Sequence, residues 1–352
     1  MFFSKLILVM LVTTSTGMVE EDVWVAPQGL PRGHNDGTLE RLVKPAAVKR
    51  PHIWMLLFDD YGWANAGWHR DYTIGGVHVP ATREVQTPTL DALVKDGIEF
   101  DRHYVYKYCS PSRSALQSGR NPYHVNPLNA DMSIANPADP VSGFAGVPRN
   151  MTGIASKMAA AGYKTAMFGK WDAGMATPDH TPHGRGYMRA MNYFAHCNDY
   201  WSMADRFRVC NRLNVDLWRV GLEAGGGAEG PAHGQNNTCV RKAGCGHALE
   251  FGQPAECQPG PAGDAWWGGY EDSLFEQEVL RTIAAHDPSS PLFLFWAPHI
   301  VHSPLQLPEA YIEDFAFIAP TDKPTHQRQL YHAMVKFADD SAAARGGSNP
   351  VD

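Results

Sequence analysis

The sequence predicts an α/β fold, a sandwich in which helices flank a mainly parallel central sheet. Residues 52–58 and 292–296 are continuous apolar runs, which are typical of strands buried on both faces of a parallel sheet. Segments with a helical pattern alternate with such strands along the chain, as they do in α/β proteins. A chain of 352 residues with 44% apolar and 19% charged residues can bury a large core and is not predicted to be disordered.

The individual elements are predicted from local signals. We expect strands over residues 52–58, 98–104, 164–168 and 292–296. We expect helices over residues 87–94, after Cys109, and over residues 152–161, 273–285 and 327–338. An irregular insertion is expected over about 187–265. Gly162 is placed to end the helix that precedes it, because glycine is favoured just past a helix C-terminus. The 273–285 helix is amphipathic, with its apolar side formed by Leu274, Phe275, Val279, Leu280 and Ile283.

The N-terminus is interpreted as a signal peptide over residues 1–17. Lys5 supplies a small positive region, residues 6–12 are apolar, and small residues follow. The apolar run is too short to span a bilayer, and no later segment is long enough either. A buried core strand is the alternative, which we rank second because polar, proline-rich sequence follows. Residues 18–50 are then a lead-in, 51–340 the catalytic domain and 341–352 an unstructured tail.

Cys109 lies at the start of the helix that Pro111 is expected to open, because proline is favoured at a first helical position. The unpaired N–H groups and the positive end of a helix suit an anion. Arg113 comes one turn later on the same face and can direct a cation at the same point. The local pattern therefore predicts an anion site with a sulfur group inside it. A buried or disulfide-bonded cysteine before a capped helix is the alternative.

The run Cys109-Ser110-Pro111-Ser112-Arg113, followed by Leu116-Gln117-Ser118-Gly119-Arg120, resembles the signature of the type I sulfatases. The resemblance covers about residues 51 to 340 and is strongest to arylsulfatase B-like members, in part through residues 331–335. It implies an alkaline-phosphatase-like fold and sulfate-ester hydrolysis. It also implies that Cys109 is oxidised after synthesis to formylglycine, an aldehyde whose hydrate attacks sulfur.

Asp59 and Asp60 follow the first strand. Two adjacent carboxylates repel each other unless a cation lies between them, and oxygen ligands suit Ca²⁺ or Mg²⁺. An Asp-Asp-Tyr-Gly turn is the alternative explanation. The family carries an Asp-Asp-x-Gly-Trp run at this place, which this chain matches through Trp63. The resemblance implies a divalent cation, Ca²⁺ in preference to Mg²⁺, bound by Asp59, Asp60 and residue 109.

Residues 162–171 resemble the second family signature. Lys170 ends a predicted strand and is implied to bind sulfate oxygens, although a lysine at a strand end is more often a solvated surface group. The family pattern continues with histidine, whereas this chain has Asp172. The family histidine contacts the formylglycine hydroxyl. An aspartate could accept the same hydrogen bond and act as a base, but it adds negative charge near sulfate.

His302 follows the 292–296 strand and matches the histidine of the family's Val-His-x-Pro run, which faces the leaving-group oxygen. Imidazole suits proton donation near neutral pH. His299, three residues earlier, is treated as a supporting residue, because a lone histidine is more often a structural hydrogen bonder.

The implied reaction assigns a role to each of these residues. The cation lowers the pKa of a hydroxyl of the hydrated formylglycine. Lys170 and Arg113 stabilise the developing charge, His302 protonates the departing alcohol, and Asp172 is the candidate acceptor of a later proton. The implied partners are a sulfated polysaccharide or an aryl sulfate as substrate and the formylglycine-generating enzyme during maturation. A net charge of −7 gives no indication of nucleic-acid binding.

Two alternative functions remain open. A phosphoryl hydrolase of the same superfamily would normally use serine or threonine and two metals, and Cys109 argues against it. A secreted pseudo-sulfatase that binds sulfated glycans without turnover is the other. The family places an Asp-Asn-Gly segment and a further lysine beyond the last helix, and we do not expect Asp339 or Asp340 to replace these ligands. We therefore expect little turnover from residues 1–352 alone.

Cysteine usage favours an oxidising compartment, and so does the signal peptide. Six cysteines are present, Cys109, Cys197, Cys210, Cys239, Cys245 and Cys257. The last five could form two pairs, whose identity stays open, and a zinc site is not favoured because no Cys-x-x-Cys spacing occurs. Asn150 and Asn236 lie in glycosylation sequons. Together these features predict a secreted or lysosomal glycoprotein.

Overall fold

The computed structural model describes residues 8–13, 50–100, 103–125, 136, 138–201, 203–207, 212–221, 230–231 and 270–343. Its α-helices are α1 (Pro88–Lys95), α2 (Cys109–Ser118), α3 (Ile154–Ala160), α4 (Glu271–Ala285), α5 (Glu309–Glu313) and α6 (Lys323–Ala342). Its strands are β1 (Leu8–Thr13), β2 (His52–Leu57), β3 (Tyr72–Ile74), β4 (Val77–Val79), β5 (Lys164–Lys170), β6 (Arg189–Tyr193), β7 (Ala204–Phe207), β8 (Arg212–Val215), β9 (Trp218–Val220), β10 (Gly230–Pro231) and β11 (Leu292–Ala297). Short 3-10 helices cover Trp63–Asn65, Gly67–His69, Pro122–His124, Pro178–His180 and Ala316–Ile318.

A central sheet has the strand order β1-β2-β11-β5-β6-β9-β10. The four middle strands of this sheet, β2, β11, β5 and β6, are parallel to one another. The strands on either side of them, β1 at one edge and β9 and β10 at the other, pair antiparallel. The pairs β3–β4 and β7–β8 form two small separate ribbons. The predicted mainly parallel α/β sandwich is therefore confirmed.

The middle strands are buried on both faces, which explains their continuous apolar runs. Along β11, Leu294 and Trp296 pack into one core cluster, while Phe293 and Phe295 pack into a second cluster on the opposite face. Helices α4 and α6 contribute to the first cluster, and α3 contributes Ala155 to the second. The sheet is thus enclosed by helices on both sides, and its strand ends remain as the place for polar groups.

Three predicted elements differ from the structure. Of the predicted strand over 98–104, the described residues are not in a strand, and Ile98, Phe100 and Tyr104 are exposed. These residues lie outside the sheet. Their β-propensity predicted a strand, but no strand among the described residues pairs with them. Helix α2 begins at Cys109 rather than at Pro111, which is tolerated because the first N–H groups of a helix have no partner inside it. The predicted irregular insertion contributes β6, β9 and β10 to the central sheet.

The segment predicted as a signal peptide contains β1, which pairs antiparallel with β2 from Leu8 opposite Leu57 to Thr13 opposite His52. The structure thus shows a strand within this segment, while burial of that strand in the core and cleavage of a signal peptide both stay predictions. Along α4, Ile283 is exposed rather than on the apolar side. None of the described helices combines the length and the apolar character that a membrane span needs.

Candidate active site

The candidate residues lie at the carboxyl ends of the parallel strands, where sites gather in α/β folds. Asp59 and Asp60 follow β2, and Asp59 is fully buried. Asp60 has φ of 51°, a left-handed conformation that few residues other than glycine adopt, with aspartate among the tolerated types. The loop after β11 holds this turn, because Val301 N donates to Asp59 O at 2.9 Å.

Cys109 is the first residue of α2 and is buried against Asp59. Its Sγ donates to Asp59 Oδ1 at 3.1 Å. Burial raises the pKa of the Cys109 thiol, and the negative charge of Asp59 raises it further. The unconverted residue is therefore a thiol rather than a thiolate, which makes it a weak nucleophile.

Two buried cations share the Asp59 carboxylate. Lys170 Nζ donates to Asp59 Oδ2 at 2.5 Å, and Arg113 Nη2 lies 3.6 Å from the same oxygen. Burial by itself would raise the pKa of Asp59, but Lys170 and Arg113 hold it well below its usual range. Burial by itself would lower the pKa of Lys170, but Asp59 holds it above its usual value. All three side chains therefore stay charged without contact with water.

Arg113 keeps unused donors in this buried site. Its Nη1 donates to the carbonyl oxygen of Lys170 at 3.0 Å. Its Nε and Nη2 have no hydrogen-bond partner among the described residues. Buried donors without hydrogen-bond partners are costly, and the oxygens of an anion next to Cys109 would satisfy them.

The position of Lys170 depends on a glycine that no other residue could replace. Gly169 has φ of 99°, and a Cβ at this residue would lie 1.9 Å from the carbonyl oxygen of Ala297 on the neighbouring strand β11. The close approach of β5 and β11 thus sets where the chain delivers Lys170.

Asp172 is fully buried and connects two polar side chains. Ser110 Oγ donates to its Oδ1 at 2.9 Å, and Nδ1 of His196 lies 3.1 Å from its Oδ2. Lys170 Nζ is 3.9 Å from Oδ2 as well. The carboxylate is thus hydrogen-bonded on both oxygens, and the imidazole of His196 is the more exposed member of this pair, with 33% of its side chain accessible.

His302 lies on the loop after β11 and faces the same centre. Its Nδ1 contacts the carbonyl oxygen of Ser303 at 2.6 Å, and its Nε2 lies 3.5 Å from Asp60 Oδ2. Burial lowers the pKa of His302, and the charge of Lys170 lowers it further. The rings of His302 and His196 are 5.7 Å apart at an angle of 89°.

His299 forms a structural cluster behind His302. It is fully buried, its Nδ1 is 3.0 Å from Glu271 Oε2, and its backbone N–H donates to Asp272 Oδ1 at 2.9 Å. Its ring stacks on Tyr200 with 4.0 Å between centroids. These contacts fix the loop that carries His302.

A hard cation fits the donors at the end of β2. One oxygen each of Asp59 and Asp60 and Cys109 Sγ lie within 4.8 Å of one another. Oδ2 of Asp59 accepts a hydrogen bond from Lys170, whereas Oδ1 accepts one from Cys109. Oδ1 is therefore the oxygen of Asp59 that would bind the cation. Two carboxylates and an oxygen at residue 109 would suit Ca²⁺ or Mg²⁺.

The structure brings together all seven residues that the sequence analysis selected, namely Asp59, Asp60, Cys109, Arg113, Lys170, Asp172 and His302. The sequence analysis missed Ser110 and His196. Ser110 lies inside the signature, so its place beside Cys109 could have suggested it. His196 follows Asp172 by 24 residues with no motif, and only the pairing of β5 with β6 reveals its proximity.

The chain is similar to known proteins in sequence and in fold. A family model described as sulfatase matches residues 51–343. Arylsulfatase J of Mus musculus is 28% identical over 296 residues, which are 84% of this chain and 39% of that protein. N-acetylgalactosamine-6-sulfatase of Homo sapiens is 26% identical over 84% of this chain and 46% of that protein. The chain therefore spans less than half the length of these relatives.

Among solved structures, a crystal structure of Ps i-CgsB is similar in fold. It has a TM-score of 0.54 and 23% sequence identity, and the match covers 82% of this chain and 52% of that chain.

Proposed function

Because the chain belongs to the sulfatase family, we propose that it hydrolyses sulfate esters at the site around residue 109. One observation carries the proposal. Arg113 and Lys170 are buried beside residue 109, and two guanidinium nitrogens of Arg113 lack hydrogen-bond partners among the described residues. Sulfate oxygens would supply these partners, and buried donors of this kind stabilise the charge of a transition state strongly.

We propose that two groups complete the site. Formylglycine made from Cys109 would supply, as its hydrate, the oxygen nucleophile. A divalent cation held by Asp59, Asp60 and residue 109 would lower the pKa of that oxygen. Ca²⁺ is proposed in preference to Mg²⁺, because Ca²⁺ accepts irregular oxygen coordination whereas Mg²⁺ demands a near-ideal octahedron.

The residues of the chain then divide the remaining tasks. Lys170 and Arg113 bind the sulfate oxygens, and Asp59 keeps both cations in place. His302 donates a proton to the leaving alcohol, and the lowered pKa of its imidazole makes the protonated ring a stronger acid. His196 accepts the later proton, and Asp172 orients its ring through Nδ1. A carboxylate orients the catalytic histidine in the same way in Ser-His-Asp triads.

The substrate is proposed to be a sulfated carbohydrate or an aryl sulfate. The name of the human relative refers to sulfate on N-acetylgalactosamine, which favours a carbohydrate. Asn150, in a glycosylation sequon, is exposed, which supports passage through the secretory pathway and maturation by a formylglycine-generating enzyme.

The test is sulfate release from an aryl sulfate by protein secreted from cells that contain the converting enzyme. We expect more than one equivalent of sulfate per chain from the wild type and none above background from Cys109→Ala. Wild-type protein that carries formylglycine but releases no sulfate in the presence of Ca²⁺ would refute the proposal.

A further inference from the structure

Three side chains that suit a soft metal ion lie together in the candidate active site. The proposed hydrolysis uses the same residues as the precursor of the nucleophile and as proton-transfer groups. Cys109 Sγ, one ring nitrogen of His196 and one of His302 lie within 4.8 Å of one another. We infer that the unconverted chain, with cysteine at residue 109, is a zinc-binding protein whose ligands are Cys109, His196 and His302. This inference does not rest on the proposed function.

The ligand types favour zinc over calcium. Zn²⁺ is bound in proteins by thiolate sulfur and imidazole nitrogen, whereas Ca²⁺ takes oxygen ligands. Three protein ligands and an open fourth position are typical of accessible zinc sites. Asp60 Oδ2, 3.5 Å from His302 Nε2, or a water would fill the fourth position.

Both imidazoles have a hydrogen-bond acceptor at Nδ1, which leaves Nε2 for a metal. Nδ1 of His302 contacts the carbonyl oxygen of Ser303, and Nδ1 of His196 contacts the carboxylate of Asp172. A carbonyl oxygen only accepts hydrogen bonds, and so does a carboxylate, so each Nδ1 carries the hydrogen and each Nε2 has the free lone pair. Metal-ligating histidines are held in this way almost without exception, by a carboxylate or carbonyl on the other ring nitrogen.

The charges at the site also accommodate a dication. Asp59, Asp60 and Asp172 carry three negative charges against the two positive charges of Lys170 and Arg113. Binding of zinc displaces the thiol proton of Cys109 to solvent and adds a fourth negative charge. The excess of two negative charges then matches Zn²⁺.

Only a small movement is needed to close the site. Tetrahedral zinc with bonds of about 2.0–2.3 Å places its ligand atoms about 3.5 Å apart. The ligands must therefore approach one another by about 1 Å from their present separation of at most 4.8 Å. His196 is a third exposed, so its ring has room to move.

The inference means that oxidation of Cys109 changes which metal the site selects. The cysteine form binds a soft cation through sulfur and nitrogen, and zinc would then hold both histidines away from proton transfer. The formylglycine form has no sulfur at this residue and retains the oxygen ligands of Asp59 and Asp60.

The test uses the 352-residue chain made without the converting enzyme, with an intact mass that verifies cysteine at residue 109. Titration with Co²⁺ should produce a thiolate-to-cobalt charge-transfer band, which one equivalent of Zn²⁺ abolishes. Cys109→Ser should lack the band, whereas Cys257→Ser, which changes none of the three inferred ligands, should retain it. A wild type without the band, or a band that survives in Cys109→Ser, would overturn the inference.

Two further measurements separate a metal site from a folding effect. X-ray absorption of the zinc-loaded wild type, which needs no variant, should show one sulfur at about 2.3 Å and nitrogen ligands at about 2.0 Å, and a shell of oxygen and nitrogen alone would contradict the site. Asp172→Asn, which removes the carboxylate that holds Nδ1 of His196, should weaken zinc binding about 10- to 100-fold, while His183→Ala on a separate loop should not. Cobalt binding without sulfate release from converted protein would refute only the proposed hydrolysis, and the reverse result would refute only the zinc site.

Discussion

Nδ1 of His196 lies 3.1 Å from Oδ2 of Asp172, a fully buried carboxylate at the end of the strand that also delivers Lys170. The relationship gives the site a second imidazole beside that of His302, on a different loop and with its ring nearly perpendicular. Two histidines with separate hydrogen-bond partners allow one to donate a proton and the other to accept one.

His196→Gln should therefore lower kcat by about 10²- to 10⁴-fold, the usual contribution of a general acid or base. The KM for an aryl sulfate should change little, because Lys170 and Arg113, the residues proposed to bind sulfate, are untouched. Steady-state kinetics measure the split, and His183→Gln on a separate loop is the control. A rise in KM at unchanged kcat would assign His196 to substrate binding instead.

Lys170→Met should destabilise the fold as well as abolish turnover. It leaves the buried charge of Asp59 without its closest partner, which costs about 3–5 kcal/mol in buried pairs. Lys336→Met removes the helix pair of Lys336 with Asp340 on α6 and should cost less than about 1 kcal/mol. Urea unfolding compares the two variants. Equal losses would show that the buried pair is not a special source of stability.

Asp339 is expected to act as a helix cap and not as a cation ligand. Its carboxylate, reaching across from α6, accepts from Thr89 N at 3.0 Å and from Leu90 N at 2.8 Å in the first turn of α1. Asp339→Ala should cost about 1–2 kcal/mol of stability, as other lost caps do. The Ca²⁺ affinity of the Asp339→Ala variant, measured by calorimetry, should equal that of the wild type. A weaker affinity at full stability would make Asp339 a ligand.

The sequence predicted the strands and the site residues that local chemistry specifies. Continuous apolar runs identified β2 and β11, and the positions of Asp59 and Lys170 at strand ends followed from the parallel sheet. The role of Asp339 could not be predicted, because its partners Thr89 and Leu90 lie about 250 positions away. His196 was missed for the same reason, since no local pattern reports a contact made between loops.

Glu276 should make stability fall as pH rises. Burial raises the pKa of Glu276 to about 7, although a hydrogen bond from Ser341 opposes the shift. A carboxyl with a raised pKa in the folded state contributes stability that is complete below its ordinary pKa and is lost as pH rises through about 7. The loss is about 3 kcal/mol at most.

Glu276→Gln keeps the shape of the side chain and removes its titration. Compared with the wild type, the variant should gain urea resistance at pH 8 relative to pH 5, and the exposed Glu309→Gln should show no such difference. An identical pH dependence for Glu276→Gln and the wild type would contradict the raised pKa.

The central claim is that residue 109 becomes formylglycine in a site built to cleave sulfate esters. Mass spectrometry of the tryptic peptide that contains residue 109, from protein secreted by cells with the converting enzyme, tests it most directly. We predict the aldehyde mass at residue 109 in the wild type and its absence in Cys109→Ser. An unmodified thiol in every molecule of wild-type peptide, with the converting enzyme active on a control sulfatase in the same cells, would contradict the claim.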